Sequence, residues 1–241
     1  MIRMRAVTKT YKLRLIERPV LDNCTIDIPT DRRLAIFGLP GSGKTTLMHL
    51  LTGLTEPNAG EIERFARLSF PVGYLRALKA TLSARQNVVY ACRVYGANVA
   101  EVSEFIERIT GLGSLLDEPL RRLPVADRQL FASTLTYAIP FDTYMIDGHF
   151  GPGGPRAREK CLAMLEARAE TSGLIFATSH RTIALRLCDT GAVLNDGQVE
   201  LYEDIRDAAE AFERLESERA MQRELSAMDE EYGEDAMEDA S

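Results

Sequence analysis

Long hydrophobic runs are missing from this chain: no apolar stretch approaches the roughly 20 residues that a membrane-spanning helix needs. The opening Met1-Ile2-Arg3-Met4-Arg5 has neither the apolar core nor the small-residue cleavage site of a secretory signal. Histidine is scarce, with three in 241 residues, and Cys24, Cys92, Cys161 and Cys188 stand far apart with no C-x-x-C pair. These shortages argue against a zinc site and a disulfide framework, so the cysteines read as small buried hydrophobes. Clustered lysine and arginine with interleaved aromatics are also lacking, which argues against a nucleic-acid partner. A cytosolic location is the expectation.

What is present is ordinary for a globular protein, with 45% hydrophobic and 27% charged residues. The length suits one sizeable α/β domain with a subdomain inserted in it. The net charge of −7 hides a division. Glu203 to Ser241 holds 15 acidic and 4 basic residues, whereas the remainder holds 21 acidic and 25 basic. The body is mildly basic and the end of the chain strongly acidic.

Periodicity divides the chain further. Arg3 to Thr8 and Cys24 to Ile28 read as strands, and Arg33-Leu34-Ala35-Ile36-Phe37 as a short buried strand. Leu47, Leu50, Leu51 and Leu54 then recur at helical spacing. From about residue 78 to 140 the period is helical throughout, which predicts an inserted α-helical subdomain closed by Pro140. Strand Thr143 to Asp147, a helix from Arg156 to Glu170, strand Leu174 to Thr178 and a short helix from Ile183 to Cys188 follow. Asn195-Asp196-Gly197 predicts a hairpin turn between Ala192–Leu194 and Gln198–Leu201. Asp204 to Leu225 reads as an amphipathic helix, and residues 228–241 as an acidic disordered tail beyond a domain of 1–227. That tail is a solubilising segment, an electrostatic clamp on a basic partner or an autoinhibitory plug near the mildly basic body.

The sharpest chemical signal is Gly38-Leu39-Pro40-Gly41-Ser42-Gly43-Lys44-Thr45, followed by Thr46, a complete P-loop. Its glycines let backbone N–H groups curl around phosphate oxygens at the positive end of a helix. Lys44 would reach the β- and γ-phosphates, and the Thr45 hydroxyl would meet Mg2+. A strand before it and a helix after it supply the context that this motif requires. Asp147 ends a buried strand, where α/β proteins place ligand groups, and reads as a magnesium-ordering carboxylate or as a turn cap. His180 follows another buried strand and reads as a γ-phosphate contact or a solvated loop residue.

In this order, Tyr11, the P-loop, the helical insert, Asp147, Ser179-His180 and the Asn-Asp-Gly hairpin resemble an ABC-transporter ATPase subunit. More narrowly, residues 1 to 215 are similar to the ATPases that export capsular polysaccharides from Gram-negative bacteria. Val7-Thr8-Lys9-Thr10-Tyr11, Phe70-Pro71-Val72-Gly73, Ser83-Ala84-Arg85-Gln86-Asn87 and Arg158-Glu159-Lys160-Cys161 carry that likeness. The resemblance implies a P-loop NTPase core with an antiparallel β subdomain besides the helical one. It implies ATP and Mg2+ as cofactors, with Tyr11 stacked on adenine and Thr45 and Asp147 at the metal. Gly38, Pro40, Gly41, Ser42, Gly43, Lys44, Thr45 and Thr46 would hold the phosphates, and His180 would be the switch histidine. It further implies a dimer, with itself or with another ABC ATPase, docked on an integral membrane permease at the inner face of the inner membrane.

The departures from that pattern concern hydrolysis. The activating glutamate maps onto Gly148, and the loop Phe150-Gly151-Pro152-Gly153-Gly154 lacks its usual aspartate. The Ser-Gly-Gly signature falls on Leu123-Pro124-Val125-Ala126-Asp127, and Lys79 stands where a glutamine belongs. Pro124 has no amide proton, and Asp127 brings negative charge toward phosphate. The expectation is weak or absent hydrolysis, with His149 as a remote substitute for the missing base. A working export ATPase, a non-hydrolysing regulatory partner and a P-loop small-molecule kinase all remain open on sequence grounds.

Overall fold

A run as short and apolar as Arg33-Leu34-Ala35-Ile36-Phe37 is stable only as a strand covered on both faces, and it lies at the centre of the molecule. The computed structural model describes residues 1–13, 16–148 and 154–238. The first elements are β1 (Ile2–Leu13), β2 (Ile16–Ile28), β3 (Arg33–Phe37), α1 (Lys44–Thr52) and β4 (Ala59–Arg64). Next come α2 (Ala84–Tyr95), α3 (Val99–Thr110) and α4 (Val125–Ala138), which form the helical insert. The chain then alternates through β5 (Thr143–Asp147), α5 (Pro155–Ala169), β6 (Gly173–Thr178), α6 (Arg181–Leu187), β7 (Thr190–Asn195), β8 (Gln198–Tyr202) and α7 (Ile205–Glu238). The architecture is α/β, as expected.

Two sheets are present. The larger has the order β5-β6-β3-β7-β8, parallel except for the β7–β8 hairpin. Asp196 and Gly197 both have positive φ, 44° and 77°, as the tight turn of that hairpin demands. The smaller sheet is antiparallel, in the order β2-β1-β4. Its strands run well beyond the segments read from sequence. Register shifts between Met4 and Val7, Val7 and Lys9, and Lys9 and Thr10 break the two-residue alternation that marks a strand.

The hydrophobic core runs from the sheet into the helical insert, where Phe70, Tyr95, Phe141 and Tyr144 pack edge to face or tilted. Ser83 and Gln86 form a capping box at the start of α2, and buried Asn87 fastens the preceding segment through the Lys79 carbonyl. Into the same core α7 packs Ile205, Ala208, Ala209 and Phe212 against β3 and β7. Phe212 stacks on Phe37 at 5.3 Å, so truncating it to alanine should cost about 3–5 kcal/mol.

One sequence expectation needs correcting. The helix continues to Glu238, through most of the segment expected to be disordered. Its glutamates, alanines and methionines are good helix formers, and they extend a helix already nucleated by packing. His149 and Phe150-Gly151-Pro152-Gly153 lie outside the described residues.

All four cysteines are buried and unpaired. Burial pushes the Cys161 thiol up to about 11 and the Cys188 thiol up to about 12. Between about pH 9 and these values the unfolded chain ionises these thiols while the folded chain does not, so folding stability falls as pH rises through that window. Iodoacetamide at pH 8 should therefore label neither thiol until denaturant is added. Rapid labelling of Cys161 or Cys188 in the folded protein would contradict the packing described.

Candidate functional site

The site is assembled by strand register. In the parallel ladder Phe37 pairs with Thr178 and Ile36 with Ala177, while Asp147 pairs with the same Ala177 on the other side of β6. The carboxyl ends of β3, β5 and β6 thus emerge together, where open α/β sheets place their ligands. They deliver the P-loop, Asp147 and Ser179-His180 respectively. Ser179 Oγ donates to the Gly38 carbonyl at 3.1 Å, which ties the loop after β6 to the P-loop.

Within the P-loop, Gly43 is the residue before α1 and has φ 103°. A Cβ there would lie 2.1 Å from Val20 Cγ1, so glycine is required both by the backbone and by the β2 side chain behind it. No side chain caps α1 and its first turn carries no acidic residue, so its amides remain open to an external anion. Ser42 Oγ is buried with no hydrogen-bond partner among the described residues. Lys44 Nζ donates to the carbonyls of Gly38 at 2.6 Å and Leu39 at 3.0 Å, curled over the loop. Burial pushes the Lys44 ammonium below its usual pKa, and the Asp147 carboxylate pulls it back up. Free amides, an orphaned hydroxyl and a partly desolvated ammonium fit a phosphate, and Thr45 with Asp147 is a donor set that suits Mg2+.

A cavity of about 380 Å³ connects this cradle to Tyr11 and is lined also by Lys12, Arg18, Val20, Gly43, Lys44, Thr45 and Thr46. Tyr11 is 40% exposed and Lys9 Nζ lies 5.3 Å from its ring centre. The structure therefore unites Tyr11, Gly41, Gly43, Lys44, Thr45 and Thr46 around one space. Asp147 and His180 stand at the strand ends and do not line it. His180 is exposed, and its amide donates to Thr178 Oγ1 at 2.9 Å. Arg18 and Val20 were not picked out in the sequence, because β2 was read as starting at Cys24.

The departures are visible as geometry. Gly148 has φ 72°, with nothing among the described residues within 4 Å of a Cβ built there, so a side chain there meets none of them but faces an unfavourable backbone. Pro124 precedes α4 without a side-chain cap, and Asp127 occupies the first turn of that helix. The positive end of α4 is thus already met by a carboxylate, in contrast to α1. Lys79 is exposed, and its amide donates to Asn87 Oδ1 at 2.8 Å.

Fold and cradle define a P-loop nucleotide-binding cassette. A sequence model described as ABC transporter matches residues 21–123 and stops one residue before Pro124. The capsule polysaccharide export ATP-binding protein CtrD of Neisseria meningitidis is 31% identical over 89% of this chain and 100% of that protein. The ATP-binding protein BexA of Haemophilus influenzae is 31% identical over 85% of this chain and 94% of its own. The polysialic acid transport ATP-binding protein KpsT of Escherichia coli is 29% identical over 86% of this chain and 96% of its own. A dimeric ATP-binding cassette bound to ADP and Pi superposes with a TM-score of 0.68 at 20% identity, over 85% of this chain and 99% of that one, a likeness of fold alone. The chain belongs to the ABC transporter ATP-binding proteins.

Gly43 offers a direct test of the cradle. The Gly43→Ala variant should lose about 2–4 kcal/mol of stability from backbone strain and overlap with Val20. In thermal melts MgATP should raise the Tm of the parent protein and leave that of the variant unmoved. Retention of both the parent Tm and the nucleotide shift would contradict this geometry.

Proposed function

We propose that this chain is the ATP-binding subunit of an ABC exporter of capsular or other cell-surface polysaccharide, and that its own hydrolytic turnover is slow or absent. The observation that carries the first half is the match to CtrD over all of that protein's length. Support for a surface-polysaccharide cargo extends to more distant relatives, among them the teichoic acids export ATP-binding protein TagH of Bacillus cereus at 27% identity, of which this chain covers 35%. Among the described residues no helix is long and apolar enough to cross a membrane. In this reading an integral membrane permease subunit holds the chain at the cytoplasmic face of the inner membrane.

Each residue has a role in this reading. Tyr11 supports the adenine, and the loop Gly38, Pro40, Gly41 and Gly43, with the Ser42 hydroxyl and Thr46, encloses the phosphates. Lys44 exchanges its two loop carbonyls for phosphate oxygens, which restores charge balance to a buried ammonium. Thr45 and Asp147 would hold Mg2+, which supplies charge neutralisation when bound, and His180 senses the γ-phosphate. ATP is shared across a dimer, with a second copy or another ABC ATPase.

The second half rests on Gly148 and on the start of α4. No carboxylate follows Asp147 to take a proton from water, and losing a positioned base typically costs 10²- to 10⁴-fold in rate. At the facing helix, Pro124 offers no amide and Asp127 opposes a γ-phosphate. The same features favour one alternative, in which this chain binds ATP as the regulatory half of a pair with a competent subunit.

Phosphate release by the purified protein tests the impaired hydrolysis that both readings share. Turnover should lie below about 0.1 per second. Substitution Gly148→Glu restores a carboxylate and should raise it, while lowering stability by about 1–2 kcal/mol because of the positive φ. Turnover above that threshold in the parent, abolished by Lys44→Ala, would contradict impaired hydrolysis.

A further inference from the structure

Among the described residues two cations besides Lys44 line the cradle's cavity, Lys12 and Arg18, and Lys12 is already paired with Glu17 at 2.8 Å. The β1–β2 ladder pairs Tyr11 with Arg18, so its guanidinium rises beside the aromatic platform. Its Nη2 donates to the carbonyl of Gly41, at the crown of the P-loop, at 2.9 Å. It lines the 380 Å³ cavity that holds Tyr11, Lys44 and Thr45. It also lines a larger one of about 780 Å³ on the other side of the crown, with Arg219 and Asn195. Among the described residues it forms no ion pair, whereas Arg33, Arg85 and Arg219 each hold a carboxylate. A guanidinium presents five N–H donors in a fixed fork, and the Gly41 carbonyl takes only one.

We propose that Arg18 is a nucleotide-positioning residue, a second cation beside Lys44 that faces the phosphate chain of a bound nucleoside triphosphate while anchored on Gly41. This rests on the ATP-binding reading above and adds a specificity element to it. The anchor matters because it spares the long side chain much of the ordering cost of reaching a phosphate. It also couples the two halves of the site: Tyr11 reads the base from β1, and Arg18 reads the charge from β2. Free donors and a full charge on this rim favour di- and triphosphates over uncharged nucleosides.

Calorimetry with ATP on the full-length chain tests this, using the parent, Lys44→Ala, Arg18→Lys and Arg18→Gln. Replacement by glutamine keeps an N–H donor on a shorter side chain and removes the charge. It should weaken ATP about tenfold, flatten the dependence of affinity on salt, and leave the ligand-free Tm unchanged. Arg18→Lys keeps the charge and should lose no more than about threefold. Arg18→Gln binding within about twofold of the parent, while Lys44→Ala abolishes binding, would overturn the inference and leave the ATP reading intact. Equal losses in both Arg18 variants with a lowered ligand-free Tm would also overturn it, by making Arg18 a latch on the loop. Absence of heat with the parent protein would overturn the ATP reading and this inference with it.

Discussion

The ladder between β3 and β6 governs the site, because it decides what stands beside the P-loop. Five consecutive pairs, from Arg33 with Leu174 to Phe37 with Thr178, bring the two strand ends level. A parallel register of this kind is enforced by burial on both faces: a one-residue slip would turn every side chain to the wrong layer. From that alignment follow the Ser179 bond to Gly38 and the position of Asp147 across Ala177. Phe212 of α7 stacks on Phe37 and so braces the last residue before the loop from outside.

A second constraint comes from the antiparallel sheet. Val20 fills the space behind Gly43, and Arg18 holds the Gly41 carbonyl, so β2 supports the P-loop from the side opposite the parallel sheet. The two helix starts at the proposed nucleotide interface then differ in a physically simple way. One, α1, has no acidic residue in its first turn and keeps its amides for an anion; the other, α4, meets its own Asp127. On the proposed reading, the chain retains the means to grip a triphosphate and lacks the parts that would hurry its cleavage.

Much of this was legible in the sequence because the informative features are local. The apolar runs of β3, β5 and β6, the P-loop between a strand and a helix, and the Asn195-Asp196-Gly197 turn each carry their signal within a few residues. The antiparallel sheet was harder. Bulges along β1 disrupt its alternation, and β4 reads Ala-Gly-Glu-Ile-Glu-Arg, with a single apolar residue pointing inward. Arg18 therefore escaped notice, since its place depends on a pairing with Tyr11 that no local pattern announces. The far end of α7 was misread because acidity was weighed over helix propensity.

A crystal structure with a non-hydrolysable ATP analogue and magnesium bears most directly on the central claim, that this cradle grips a triphosphate. The account predicts that Lys44 Nζ leaves the Gly38 and Leu39 carbonyls for the phosphate chain, with the metal between Thr45 and Asp147. An analogue bound elsewhere, with Lys44 still bonded to both carbonyls, would contradict it.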